Sequence, residues 1–255
     1  MDKCKICQGQ TQLKFESLVL KKYKVKYFQC PDCQFLFTEE PYWLSEAYQH
    51  AINVSDTGLL SRNQYFAKQV SSLIYLFFDK NGMFLDYAGG YGIFTRLMRD
   101  IGFNFYWKDE YCENLLAKGF EFENSASNKV EALTAFEVFE HFSDPIEEIN
   151  KISKLSDTII FSTEILPDQL PTIDWWYYGF EHGQHLSFYS KTSLDFLAKK
   201  IGLKYYSARG LHILTKNKLN STALKLILNL NRVGLFRYVK RRMKSKIWED
   251  HLKMK

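Results

Sequence analysis

The stretch Met83 to Glu110, MFLDYAGGYGIFTRLMRDIGFNFYWKDE, reads as a strand, a glycine turn, a helix and a second strand, and it decides the fold. Met83, Phe84 and Leu85 form an apolar run that ends at Asp86, and glycines crowd the turn at Gly89, Gly90 and Gly92. Phe94, Leu97, Met98 and Ile101 then recur at three- and four-residue steps, one apolar helix face, with Gly102 where a C-terminal cap belongs. Phe103, Phe105 and Trp107 alternate as a strand that ends at Asp109. Gly92 and Asp109 are 17 residues apart, the length of one helix plus one strand, so the acid falls at the carboxyl end of the neighbouring parallel strand. There it can accept both hydroxyls of a ribose. The dinucleotide pattern G-x-G-x-x-G is incomplete: Gly90-x-Gly92-x-x-Thr95 lacks the third glycine.

Around this unit, 255 residues with 46% hydrophobic content suffice for one full α/β domain plus small additions, and exclude a disordered chain. The polar N-terminus MDKCKICQ and the lack of any run of about 18 apolar residues predict neither signal peptide nor membrane span, hence a cytoplasmic protein. The net charge of +5 is unevenly placed. Residues 216–255 hold twelve Lys or Arg against Glu249 and Asp250, so this tail carries +10 and the preceding chain −5.

Cys4-x-x-Cys7 and Cys30-x-x-Cys33, with 22 residues between the pairs, are two knuckles able to set four thiolates around one zinc ion. Four thiolates leave no open position, so this metal is structural. Helical spacing follows from Pro41 to Asp79. Trp43, Ala47, Tyr48 and Ile52 share one face, and a second helix is expected to turn Tyr65, Val70, Leu73 and Leu76 inward. A short helix is expected at Leu115, Leu116 and Phe120, a strand at Ala132 to Phe136, and a buried strand at Thr158 to Ser162.

LDYAGGYG (85–92) resembles the first motif of class I S-adenosylmethionine-dependent methyltransferases, commonly LDxGxGxG, with Ala88 at the first glycine. ALTAFEVFEHFSDPIEEI (132–149) is similar to that family's fourth-strand segment: an apolar strand, ExLEH and a DP turn. The resemblance covers about residues 50–215. It implies an α/β, Rossmann-like seven-stranded sheet with helices on both faces, flanked here by a zinc ribbon (1–40), a helical cofactor lid (41–80), the core (81–215) and a basic amphipathic helical tail (216–255). S-adenosylmethionine is the implied cofactor. Gly89, Gly90 and Gly92 give it close backbone approach, Asp86 lies toward its amine, Asp109 takes the ribose, Phe136 and Glu137 flank the adenine, and Arg62 meets the methionine carboxylate.

The segment ILPDQLPTIDWWYYGFEHGQHLSFYS (165–190) is polar, aromatic and proline-bearing, and it reads as the acceptor wall. Tyr178, His182 and His185 are its expected catalytic residues, a histidine serving as general base. His182-x-x-His185 as a metal pair lacks a third ligand nearby in sequence. Glu137, Glu140 and His141 could ligate a metal, but the preferred reading has Glu140 and His141 begin and cap a helix. Leu186–Phe188 and Tyr205–Leu214 are expected as closing strands around a helix at 191–201.

For the tail three readings stand: packing on the body or a twin subunit, a peripheral membrane contact at the inner face of the membrane, and a nucleic-acid arm. The order of ribbon and methyltransferase resembles bacterial methyltransferases of nucleotide-linked deoxysugars, which carry a further C-terminal domain in place of this tail. The expected acceptor is a small molecule or glycan, most simply a sugar hydroxyl. The rival, a nucleic-acid-binding or nucleic-acid-modifying protein, is weakened because residues 1–40 hold seven lysines and no arginine.

Overall fold

The computed structural model describes residues 3–49, 56–125 and 127–255. In chain order the elements are β1 (Gln12–Val19), β2 (Tyr23–Gln29), β3 (Leu36–Thr38), α1 (Leu44–Ala47), α2 (Leu59–Phe77), β4 (Met83–Tyr87), α3 (Ile93–Ile101), β5 (Asn104–Lys108), β6 (Ala132–Phe136), α4 (Pro145–Ser153) and β7 (Thr158–Ser162). They continue with β8 (Ser187–Phe188), α5 (Lys191–Lys200), β9 (Lys204–Ala208), β10 (Leu211–Thr215), α6 (Ser221–Leu230), α7 (Leu235–Arg242) and α8 (Ile247–Lys253).

The main sheet has the order β5-β4-β6-β7-β10-β9. The first four strands run parallel, and β10 is antiparallel to both β7 and β9. The central strands are apolar because both faces are covered: every residue of β7 and β10 is buried. On one face α2 and α3 join the tail in a core that includes Val70, Ile74, Met98, Leu224, Leu228 and Val239. On the other, α4 and α5 pack with Phe139, Phe161 and the cysteine end of the ribbon.

Among the described residues six strands replace the expected seven, and the difference lies at β8. Ser187–Phe188 does not close the main sheet but pairs with β3, Leu36 opposite Phe188, as the last strand of a second sheet ordered β1-β2-β3-β8. The ribbon and the core therefore share a sheet. Ser190 ties them again: its hydroxyl accepts from Ser193 N–H as the cap of α5 and donates to the Cys33 carbonyl at 2.9 Å. The closing hairpin is β9–β10 alone.

Other expectations shift in detail. In α2, Val70 and Leu73 point inward as expected, but Tyr65 and Leu76 are exposed and Phe66, Ala67 and Ile74 are buried instead. Ile52 lies outside the described residues. Residues 115–119 form bends and a turn, not a helix: the Leu115 and Leu116 N–H groups both donate to the Tyr91 carbonyl, and Gly119 stands at φ +84°. The tail folds onto the body, with Leu224, Leu228 and Val239 at most 1% exposed. Among the described residues no helix is long and apolar enough to cross a membrane.

Candidate functional site

Strand β4 delivers Asp86 to its carboxyl end, only 2% exposed. Its carboxylate accepts from the hydroxyls of Thr95 (3.1 Å) and Thr134 (2.9 Å). Burial nevertheless dominates and pushes its pKa up to about 7, with the two threonines opposing. Thr95, which breaks the glycine pattern, is thus a buried partner of Asp86 at the start of α3.

The turn beyond has no room for side chains. A Cβ on Gly89 would stand 2.8 Å from both Asp86 Oδ2 and Trp107 Cδ1, and Gly92, at φ +81°, would meet Asn114 Oδ1 at 2.7 Å. Trp107 donates its indole N–H to the Gly90 carbonyl at 2.9 Å and fixes the turn from β5. Asp109, one residue past β5, accepts from Gly90 N–H on Oδ2 and from Tyr111 and Cys112 N–H on Oδ1, each at 2.8 Å. Oδ1 is saturated by its two donors, whereas Oδ2 retains a lone pair for a ligand hydroxyl.

These residues line one side of a cavity of about 1050 Å³, large enough for a nucleotide-sized ligand and a second molecule together. Arg62 enters from α2 and is held bidentate by Asp56, at 2.6 and 2.8 Å. Phe136, at the end of β6, stacks on Phe66 with centroids 4.3 Å apart and meets Phe94 edge-on, which leaves a flat apolar wall. Glu137 follows at φ +54°, a left-handed conformation costly for a side chain, and its N–H donates to Ser162 Oγ at 3.0 Å.

The opposite wall is a corner of imidazoles. His141 comes from the short turn Phe139–His141 after β6, and His182 and His185 come from the loop before β8. Ring centroids are 5.2 Å apart for His141 and His185 and 4.7 Å for His182 and His185. Burial lowers the pKa of all three, His141 to about 4, so each is neutral near pH 7. Gln184 N–H donates to His182 Nδ1 at 3.2 Å. Behind them Glu140 is wholly buried, and burial raises its pKa well above the usual carboxylate range.

Glu140 and His141 lie in a single 3₁₀ turn, Phe139–His141, and do not begin α4 as preferred from the sequence. Helix α4 starts later, capped by Asp144, whose Oδ1 accepts from Glu147 N–H at 3.0 Å, with Pro145 next. Tyr178 is also displaced from its expected place. It is 1% exposed, lies among Phe15, Tyr27 and Phe180 under the ribbon, donates to the Pro171 carbonyl, and is not part of the cavity lining. The tight turn at 176–178 sends neighbouring rings to opposite sides, so Tyr177 takes the cavity side and Trp176, 72% exposed, stands at the rim. Tyr177 belongs to the segment read from the sequence as the acceptor wall, whereas Tyr48 was given only a helix face and Asn114 no role, since no motif marks them.

Outside the cavity lining, the Cys4, Cys7, Cys30 and Cys33 sulfurs lie within 4.8 Å of one another, with Cys4 and Cys33 at 3.5 Å and Cys7 and Cys30 at 3.3 Å. None is in a disulfide. Four converging sulfurs at such separations fit one tetrahedral zinc ion.

A family model described as a methyltransferase domain matches residues 60–208. No curated protein matches the chain in sequence. Among solved structures, the chain is similar to the plantazolicin methyltransferase BpumL, in complex with a desmethyl analogue and S-adenosylhomocysteine (14% identity, TM-score 0.49, 79% of this chain and 84% of that one). It is similar to the 1,6-didemethyltoxoflavin-N1-methyltransferase of Burkholderia thailandensis (15% identity, TM-score 0.47, 72% and 94%). It is similar as well to CalO1, a methyltransferase in calicheamicin biosynthesis (11% identity, TM-score 0.45), covering 69% of this chain and only 60% of that one.

Proposed function

The chain belongs to the methyltransferase domain family, matched over residues 60–208, and from that premise we propose that it moves a methyl group from S-adenosylmethionine to a hydroxyl of a sugar or glycan acceptor. The observation that carries this reading is the single cavity joining the glycine turn to the histidine corner, since it offers donor and acceptor one shared space. The sulfonium supplies an already activated methyl group, so the chain's own task is to hold two molecules in line and exclude water.

On the donor side, Gly89, Gly90 and Gly92 admit the ligand against bare backbone. Asp109 takes a ribose hydroxyl on the free lone pair of Oδ2, Phe136 and Glu137 border the adenine, and Arg62 meets the methionine carboxylate while Asp56 holds it. Asp86 acts from beneath, shaping the loop through Thr95 and Thr134. On the acceptor side, the exposed face of Trp176 offers a sugar ring a flat apolar platform at the rim, and the proton of the hydroxyl is drawn off at the corner of His182 and His185. Neutral imidazoles suit that role. Outside the cavity the four cysteines hold a structural zinc.

Methyl release followed across a panel of sugar nucleotides and free glycans tests the acceptor class. Turnover with at least one sugar is expected, and Trp176→Ala should raise the acceptor KM severalfold while leaving S-adenosylhomocysteine affinity unchanged. Turnover confined to non-sugar acceptors, or to nucleic acid, contradicts the sugar assignment.

A further inference from the structure

The corner holds a group that the methyl-transfer reading leaves unused. Both carboxylate oxygens of Glu140 are buried without a hydrogen-bond partner. The hydroxyls of Tyr177 and Thr163 are near enough to favour the charged form, but they bond to each other at 3.0 Å and neither makes a hydrogen bond to Glu140. Such a carboxylate is unfavourable unless a cation or a proton satisfies it. One of its oxygens, one nitrogen of His141 and one of His185 lie within 4.8 Å of one another.

One hydrogen bond fixes which nitrogen His185 presents. His185 Nδ1 is 2.6 Å from the Tyr177 carbonyl oxygen, which can only accept, so Nδ1 carries the proton and Nε2 offers its lone pair. His141 Nδ1 lies 3.0 Å from the Tyr48 hydroxyl, and in the tautomer that donates Nδ1–H to that oxygen Nε2 of this ring offers its lone pair as well. Imidazoles that bind metals are held in this way, with the remote nitrogen anchored on an oxygen. The third ligand missing beside His182-x-x-His185 in sequence thus comes from the turn after β6, together with a carboxylate.

We propose that Glu140, His141 and His185 bind one divalent first-row transition cation, whose remaining coordination positions open into the cavity and receive a hydroxyl oxygen of the acceptor. Two imidazole nitrogens and one carboxylate oxygen form a donor set suited to Mn²⁺, Fe²⁺, Co²⁺ or Zn²⁺, and three protein ligands leave positions free, unlike the four-thiolate cluster. The role for the acceptor rests on the proposed methyl transfer. A hydroxyl bound to the cation ionises more readily, and its proton passes to water. Its oxygen then forms the bond to the methyl carbon as the carbon–sulfur bond breaks and the sulfonium becomes a neutral thioether. The cation keeps its oxidation state. His185 then acts as a ligand, not as a free base.

Manganese is the discriminating probe because thiolates compete poorly for it. The full chain, with its zinc retained, is titrated with Mn²⁺ and followed by electron paramagnetic resonance. One saturable Mn²⁺ per chain is expected, lost in Glu140→Gln with zinc content unaltered and weakened about 10- to 100-fold in Tyr48→Phe. Spin-echo modulation on the wild-type complex needs no variant and should show two coordinated imidazole nitrogens. Absence of saturable Mn²⁺ binding, binding unchanged by Glu140→Gln, or a complex without nitrogen coupling overturns the proposal. S-adenosylhomocysteine binding, measured in the same samples, reports on the methyl-transfer reading alone, so the two can fail separately.

Discussion

His212, in β10, is 4% exposed and its Nδ1 lies 2.7 Å from the Tyr205 hydroxyl. Burial lowers its pKa to about 4, against about 6.5 in an unfolded chain. The fold therefore favours the neutral ring: the stability it supports is complete above pH 6.5 and drains away as pH falls through 6.5 toward 4. Between pH 7 and 5 this one group accounts for a loss of about 2 kcal/mol. Urea unfolding at the two pH values should show that much less acid sensitivity in His212→Gln, and an identical slope in both proteins would refute the assignment. Asp86 shifts the opposite way, its folded pKa being raised, so the comparison must be made variant against wild type. At this scale the donor-side residues were legible in the sequence because Asp86, the glycines and Asp109 are separated by one helix and one strand, whose lengths are fixed by geometry. The corner was not legible. Whether His141 meets His185 depends on where a long loop lands, and that loop is placed by its pairing with the ribbon, which no local pattern announces.

Among the elements, α8 is held by a buried ion pair. Arg99 of α3 is 1% exposed, donates to both carboxylate oxygens of Asp250 at 2.6 and 2.8 Å, and lies with its guanidinium 3.5 Å from the Phe120 ring centroid. Arg96 adds a further bond to Asp250 at 2.8 Å. Replacing Asp250 by Ala strands the Arg99 cation, and a cost of about 3 to 5 kcal/mol is expected in chemical unfolding. A cost below about 1 kcal/mol would place the pair with ordinary surface bridges. The strand–turn–helix–strand unit was readable from periodicity, but β8 was assigned to the wrong sheet, since two or three apolar residues fit either. That pairing has a consequence for the loop it ends. Removing the proposed ribbon zinc with a thiol reagent should speed backbone hydrogen exchange at residues 175–188 as well as at 30–38, whereas exchange confined to the ribbon would mean that β8 is held without it.

Over the whole molecule, the body is built so that the ribbon, α2 and the core all reach one cavity, while the basic tail largely covers α2 and α3. The amphipathic spacing of the tail was visible in the sequence, but its partner was not, because an apolar stripe does not say which surface it meets. Central to the account is that the glycine turn and Asp109 hold a nucleoside-bearing methyl donor. Titration calorimetry with S-adenosylhomocysteine tests it most directly. One saturable site per chain is predicted, weakened about 10- to 100-fold in Asp109→Ala through the loss of charge-assisted hydrogen bonds worth about 1.5 to 3 kcal/mol; no saturable binding, or equal affinity in the variant, would contradict it.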